Sequence, residues 1–285
     1  MDIEQISVIG SGTMGRGIAY AAALAGYTTV LNDVDGSSLD RAKSWIEKTL
    51  GRAVEKGKLP ESEVERVLRR VSFVDDLEAA SRNASVIIEA VPEDTELKRE
   101  LFSQADMFCG PDTLIASNTS AISITELAKS VERRDRFVGL HFFNPVHLMR
   151  LLEIVAGERT SEETVEDALQ LARQMGKEPI VVRDTPGFAT SRLGLALGLE
   201  AIRMLEAGVA SAEDIDKAME LGYRHPMGPL RLTDLVGLDV RLEIAEYLAS
   251  SLGDRFEPPA LLRSMVEQGR LGQKSGRGFY DWPED

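Results

Sequence analysis

The chain has 285 residues, 43% of them hydrophobic, enough to build a substantial core in one large domain or two ordinary ones. Its 33 basic and 47 acidic residues leave a formal charge of −14, which argues against non-specific binding to nucleic acid or an anionic membrane, because phosphates are repelled at long range. Cys109 is the sole cysteine, so an internal disulfide and a thiolate zinc cluster are excluded, no metal site is expected, and a reducing, cytoplasmic setting fits.

The N-terminus enters a strand within five residues, so no signal peptide is expected, and the small-apolar stretch Ala19–Ala25 is too short to cross a bilayer. Gln5–Gly10 reads as the first strand. The turn Gly10-Ser11-Gly12-Thr13-Met14-Gly15 follows, then a helix through Ile18 and Leu24 to Gly26, then a second strand, Thr28–Asp33. Asp33 stands 18 residues beyond Gly15. A G-x-G-x-x-G turn between strand and helix, with an acid closing the next strand, is a dinucleotide fingerprint. Gly10 permits the tight turn, Gly12 lets the pyrophosphate approach the backbone, and Gly15 lets the helix pack closely. Asp33 suits the adenosine ribose and repels a 2′-phosphate, so NAD is expected.

Some 37 residues separate Asp33 from Val71, more than one crossover helix needs. Arg41–Lys58 and Glu61–Arg70 read as two helices broken at Leu59-Pro60, an arm at about 36–70. On the first, Ala42, Ile46, Leu50 and Ala53 share one face. Arg41, Lys48, Arg52 and Lys56 form a stripe on roughly the opposite face, with Trp45 beside it. Between residues 41 and 58 six cations meet two anions, a basic island that suits an anionic ligand or is a solvated helix face.

Further strand-like runs are Val71–Val74, Ser85–Val91, Thr113–Ser117, Phe137–His141, Leu151–Ala156 and Pro179–Val182, most of them separated by helices. This alternation predicts an α/β fold: a Rossmann-type, doubly wound, mainly parallel sheet, with an antiparallel edge where the last links shorten. After Asp184-Thr185-Pro186-Gly187 no convincing strand follows. Arg192–Met204 is apolar nearly all round, which predicts a helix buried on most faces, and Ser211 starts another. The expected division is 1–184, the dinucleotide-binding domain, and 185–285, a helical domain.

Ligands in such sheets bind beyond the carboxyl ends of the strands. Glu93, Ser117-Asn118-Thr119-Ser120, His141 and Asn144 sit there. Ser123 and Glu126 read as a helix capping box. Of three histidines, His147 and His225 sit in turns. His141 differs: if its strand pairs antiparallel with Leu151–Ala156 in a register centred on residue 147, it faces Glu153. A carboxylate there would set the tautomer of the ring and stabilise the imidazolium formed when it accepts a proton.

The fingerprint, Ser117-Asn-Thr-Ser120, His141-Phe-Phe-Asn-Pro145, Glu153, Asp184-Thr-Pro-Gly-Phe188, Pro226-Met-Gly-Pro229 and Lys274-Ser-Gly-Arg-Gly-Phe-Tyr280 together resemble the short-chain 3-hydroxyacyl-CoA dehydrogenases, which include bacterial 3-hydroxybutyryl-CoA dehydrogenases. The resemblance runs end to end. It implies NAD-dependent, reversible oxidation of an (S)-3-hydroxyacyl-CoA in fatty-acid or related acyl-CoA metabolism. His141 becomes the base, Glu153 its partner, and Ser120 a hydrogen-bond partner of the reacting oxygen. Gly10, Gly12, Thr13, Met14 and Gly15 would hold the cofactor with Asp33, Glu93, Lys98, Ser117, Asn144 and Lys274. Arg41, Lys48, Arg52 and Lys56 would meet the nucleotide part of coenzyme A, and the helical domain would serve substrate binding and a homodimer. Where the family usually has asparagine after Pro-Gly-Phe, this chain has Ala189-Thr190-Ser191, which puts Ser191 in the asparagine's role. A free-hydroxy-acid dehydrogenase of the gulonate type and a catalytically silent NADH-binding protein remain as alternatives.

Overall fold

The computed structural model describes residues 1–283; residues 284 and 285, within the second expected domain, lie outside the described residues. The chain forms two compact units, Met1–Thr185 and the stretch from Pro186 onward.

The first unit is an eight-stranded sheet in the order β3-β2-β1-β4-β5-β6-β7-β8. The strands are β1 Gln5–Ile9, β2 Thr28–Asn32, β3 Val71–Val74, β4 Val86–Glu89, β5 Leu114–Ser117, β6 Phe137–Phe142, β7 Leu151–Ala156 and β8 Glu178–Arg183. The first six run parallel. β7 is antiparallel to β6, and β8 is parallel to β7, so the last two strands run against the other six. Because β2 and β4 flank β1, strand order reverses beside the glycine turn, the position at which open α/β sheets bind ligands.

The helices of this unit are α1 Thr13–Ala25, α2 Gly36–Glu55, α3 Glu61–Leu68, α4 Leu77–Ser81, α5 Thr95–Phe108, α6 Ile124–Leu127 and α7 Glu162–Gln174. The main core joins Ile6, Val8, Val86, Ile88, Leu114, Val138 and Ile154 of the sheet to Ile18 of α1 and Leu171 of α7. In the arm, Ile46 and Leu50 of α2 pack with Val67 of α3 against Tyr20 and Ala23 of α1. Helix α2 starts at Gly36, ahead of the expected Arg41. The Asp35 carboxylate accepts from Ser37 N at 2.9 Å and from both the Ser37 and Ser38 hydroxyls at 2.8 Å. Those bonds hold the Asp35 carboxyl down at about 2 and supply the acceptor that a Gly-Ser-Ser helix start lacks.

The second unit is helical: α8 Thr190–Glu206, α9 Ala212–Tyr223, α10 Pro229–Val236, α11 Leu238–Leu252 and α12 Ala260–Glu267. Leu195, Leu199 and Ile202 of α8 meet Leu230, Leu238, Ala245, Leu248 and Leu262 in its core. Two buried carboxylates hold its motifs. Asp216 accepts from Leu230 N, Arg231 N and the Tyr280 hydroxyl, and Asp234 accepts from Phe279 N, Tyr280 N and Trp282 Nε1. The expectation that Arg192–Met204 is buried on most faces is corrected: α8 buries one face, and Leu193 is 71% exposed.

Candidate active site

The glycine turn has the form a pyrophosphate needs. Gly10 has φ 100°, and a Cβ there would stand 2.7 Å from Ala90 O. A Cβ on Gly15 would collide with Gly10 O at 1.7 Å, whereas one on Gly12 would meet nothing within 4 Å, so the backbone there lies open to a ligand. Asp33 Oδ2 accepts from Ser11 N at 2.8 Å and Ser11 Oγ at 2.7 Å, which fixes the turn against the end of β2. A cavity of about 680 Å³ opens over Gly10, Gly12, Thr13, Met14 and Asp33. Its apolar walls are Val34, Leu77, Leu97 and Leu101, which sequence reasoning missed. Their signal was the spacing of Leu97 and Leu101 on one face of α5, and Val34 exposed directly after Asp33. An open backbone cradle, a carboxylate in the lining and apolar walls suit an adenine dinucleotide.

Glu93, Lys98 and Ser117, expected at the cofactor, are not among the residues lining this cavity. Lys98 and Ser117 are 1% and 0% exposed, drawn inward from the strand ends. The reason is Glu89, at the end of apolar β4. Its carboxylate accepts from Lys98 Nζ at 2.5 Å, Ser117 Oγ at 2.6 Å and Val91 N at 2.7 Å. Burial pushes the Glu89 carboxyl up, while Lys98, Ser117 and the Val91 amide pull it back. Lys98 also reaches Glu93 at 3.2 Å and Val91 O at 3.3 Å, so all three of its protons have acceptors. Glu93 in turn accepts from Thr119 Oγ1 at 2.5 Å and Ser120 N at 3.0 Å. The buried cation thus ties the loop after β4 to the loop after β5, which carries Ser120.

His141 and Glu153 are register partners across β6 and β7, with Nδ1 2.7 Å from Oε2. The pairing is centred on residue 147, as the spacing predicts. Glu153 is fully buried and His141 is 7% exposed. Asn118 locks β5 to β6, its Oδ1 accepting from Phe142 N at 2.9 Å. Asn144 is exposed just beyond β6. Ser123 Oγ accepts from Glu126 N at 3.2 Å, the expected cap, and donates to Asp184 at 2.7 Å.

On the arm, Arg41 does not extend the stripe. It folds back onto Ser37 at 2.9 Å and Ser38 at 2.6 Å, drawn by Asp35 at 3.4 Å. Lys48 is exposed, and Arg52 and Lys56 line a cavity of about 300 Å³ with Lys58, Trp45 and His147. His147 is more than a turn residue: its ring meets Tyr20 and Trp45 edge-on, each at 5.8 Å. Burial first, then Lys177, Lys58 and Lys56, push its pKa down. Buried Lys177 shapes this loop by donating to Val146 O and, at 2.9 Å, Met149 O.

A larger cavity, about 1030 Å³, lies by the amino ends of β5 and β6, away from the glycine turn. Its Arg133 is paired with Asp106 at 2.6 Å and its Lys129 with Glu126 at 2.6 Å, so it holds no comparable chemistry. In the second unit, Ser191 lies in the first turn of α8. Lys274 pairs with Asp239 at 2.5 Å, and its Nζ stands 3.3 Å from where a Cβ on Gly237 would be.

The glycine turn on a doubly wound sheet and a carboxylate-held histidine at the carboxyl end of β6 define the class: an NAD-dependent oxidoreductase. Residues 5–185 match the NAD binding domain of 3-hydroxyacyl-CoA dehydrogenase, and residues 187–282 match its C-terminal domain. A probable 3-hydroxybutyryl-CoA dehydrogenase of Bacillus subtilis is 47% identical over 100% of this chain and 99% of its own. A 3-hydroxyadipyl-CoA dehydrogenase of Escherichia coli is 42% identical over 99% of this chain and 60% of its own. The crystal structure of an (S)-3-hydroxybutyryl-CoA dehydrogenase from Ralstonia eutropha superposes with a TM-score of 0.96 at 39% identity, covering 99% of this chain and 100% of that one. This chain belongs to the 3-hydroxyacyl-CoA dehydrogenase family.

Proposed function

We propose that the chain oxidises the 3-hydroxyl of an (S)-3-hydroxyacyl-CoA to the 3-oxoacyl-CoA, reversibly, in fatty-acid or related acyl-CoA metabolism in the cytoplasm. The observation that carries this reading is the His141–Glu153 pair at 2.7 Å. Glu153 accepts the Nδ1 proton, so Nε2 is the ring nitrogen that takes the proton of the substrate hydroxyl. The buried carboxylate then stabilises the imidazolium. Ser120, held by Glu93, supports the reacting oxygen, and Ser191 supports it in the asparagine's place. Nicotinamide, when bound, supplies the hydride acceptor. Lys48, Arg52 and Lys56 attract the nucleotide phosphates of coenzyme A, a local positive field on an acidic molecule.

The second unit supplies a homodimer interface in this reading. Leu193, Leu221 and Tyr223 are 71%, 74% and 76% exposed, and large exposed apolar side chains mark association surfaces. A panel of 3-hydroxyacyl-CoA esters against free hydroxy acids, read by NADH absorbance, tests the activity. Ester turnover is expected. Turnover of free acids alone, or NADH binding without turnover, would overturn it.

A further inference from the structure

His147 borders two cavities of the first unit, the one of about 300 Å³ on the arm and a second of about 280 Å³ that shares Tyr20, Leu24 and Leu148 with it. Among the described residues no carboxylate lines either one, although acids outnumber bases by 14 in the whole chain. The first cavity collects Arg52 and Lys56 of α2 and Lys58 of the connection to α3, and none of the three makes an ion pair among the described residues. Cations gathered on one acid-free concavity repel one another and attract an anion. His147 completes the wall. Its ring, Tyr20 of α1 and Trp45 of α2 meet edge-on in a triangle, with centroids 5.8, 5.8 and 6.0 Å apart. Buried Lys177, just ahead of β8, donates to Val146 O and Met149 O on either side of His147, so the loop is held as well as the ring.

The groups that face this imidazole are cationic or neutral. Burial first, then Lys177, Lys58 and Lys56, hold its pKa below the ordinary histidine value. Burial pushes the Tyr20 hydroxyl up, so it stays protonated, and Arg150 of the same loop is paired with Glu178. The ring is therefore neutral near pH 7 while the cavity is empty of anions. A phosphate monoester carries about −1.5 to −2 at pH 7, and its arrival reverses the local field. Of the phosphates of coenzyme A, only the 3′-phosphate is a monoester; the diphosphate spreads its charge singly over two phosphorus atoms. We infer that this cavity receives the 3′-phosphate of coenzyme A, and that the phosphate draws a proton onto His147 as it binds. The proton comes from solvent, and the imidazolium N–H then donates to a phosphate oxygen. His147 is thereby a specificity residue for the complete coenzyme, remote from the reacting carbon. The inference rests on the proposed function, which brings a coenzyme A ester to the arm.

The test is calorimetric binding of butyryl-CoA and butyryl-dephospho-CoA, inert esters that differ only in the 3′-phosphate, to the whole protein from about pH 7 to about pH 9. Buffers of different ionisation enthalpy count the protons taken up. A phosphate monoester loses its second proton near pH ~6, so its own titration contributes little in this window. The native protein should bind the complete ester more tightly near pH 7, with a proton uptake that the dephospho ester lacks. That preference should shrink by ~10-fold toward pH 9, the change that one unit of pKa shift carries. His147→Phe keeps the edge-on contacts but cannot take a proton, and it should lose both the uptake and the pH dependence. His147→Gln, which also does not titrate, should behave alike, so a misfolded phenylalanine variant leaves the test standing. Equal affinity for the two esters, a preference independent of pH, or proton uptake that survives in either folded variant would overturn the inference. If 3-hydroxyacyl-CoA esters still turn over, the acyl-CoA reading survives that failure. If neither ester binds and no 3-hydroxyacyl-CoA reacts, the reading itself has failed and takes the inference with it.

Discussion

His141 and Glu153, twelve residues apart in sequence, face each other across β6 and β7 with Nδ1 2.7 Å from Oε2. Glu153 makes His141 a directed base. His141→Gln should lower kcat by ~10²–10⁴-fold, the usual worth of a positioned base. NADH affinity should be nearly unchanged, because the cofactor cavity is built from β1, β2, α4 and α5. Oxidation uses the neutral imidazole and ketone reduction the imidazolium, so raising pH should favour oxidation and lowering it reduction. Stopped-flow turnover and fluorescence titration of NADH check this, and a folded variant with native turnover would remove His141 from the chemistry.

This pair was legible because its information is local. Two apolar runs joined by a short loop admit few registers, and the one centred on residue 147 pairs the two residues. The parallel order of β1 to β6 was legible for a similar reason, since strands alternating with helices leave little choice. The Glu89–Lys98 pair was not. Lys98 sits among the charges of Thr95–Phe108, and nothing in the spacing shows which of them turns inward. Arg41 likewise reads as part of a stripe until Asp35, six residues earlier, is seen to draw it back.

Asp33 should make the enzyme prefer NAD. Its carboxylate already accepts from Ser11 N and Oγ, and a 2′-phosphate beside it would add a second anion. Like charges ~4 Å apart at an effective dielectric of ~20 cost about 4 kcal/mol. The ratio of kcat/KM for NAD over NADP should therefore exceed ~10². Asp33→Asn should narrow it, since the charge is gone while a carbonyl oxygen can still hold Ser11. Equal use of both cofactors by the native enzyme would reject the assignment.

The Glu89–Lys98 pair predicts a stability signature. Both groups are within 1% of full burial. Lys98→Met strands a buried carboxylate and should cost about 3–5 kcal/mol. Adding Glu89→Gln should restore much of that loss, because both charges are then removed. Urea unfolding of the two variants decides the matter. A Lys98→Met protein as stable as the native one would mean the pair does not support the loops after β4 and β5.

On the arm, Lys48→Glu with Arg52→Glu should raise KM for an acyl-CoA ester by more than ~10-fold and leave NADH affinity close to native. Added salt should weaken the native enzyme's affinity for the ester, because the attraction acts through solvent. Exposed charges on a solvated helix contribute little, so an unchanged KM and salt slope would mark the stripe as surface only.

Ser191 tests where this chain departs from its family. It begins α8 beside Thr190, and a serine reaches less far than the asparagine expected there. A bridging water extends a short donor at little cost, so its hydroxyl can still support the substrate oxygen. On that reading Ser191→Ala lowers kcat/KM by ~10–100-fold, about 1.4–2.7 kcal/mol of transition-state stabilisation. Ser191→Asn keeps substantial activity, since it restores the longer donor. If Ser191 instead serves only the start of α8, whose N-cap residue is the apolar Ala189, Ser191→Ala lowers the melting temperature while the folded fraction turns over normally. Steady-state kinetics and thermal melts on both variants separate the two, because a helix-start role is not rescued by a longer donor reaching into the site, whereas a substrate-facing role is.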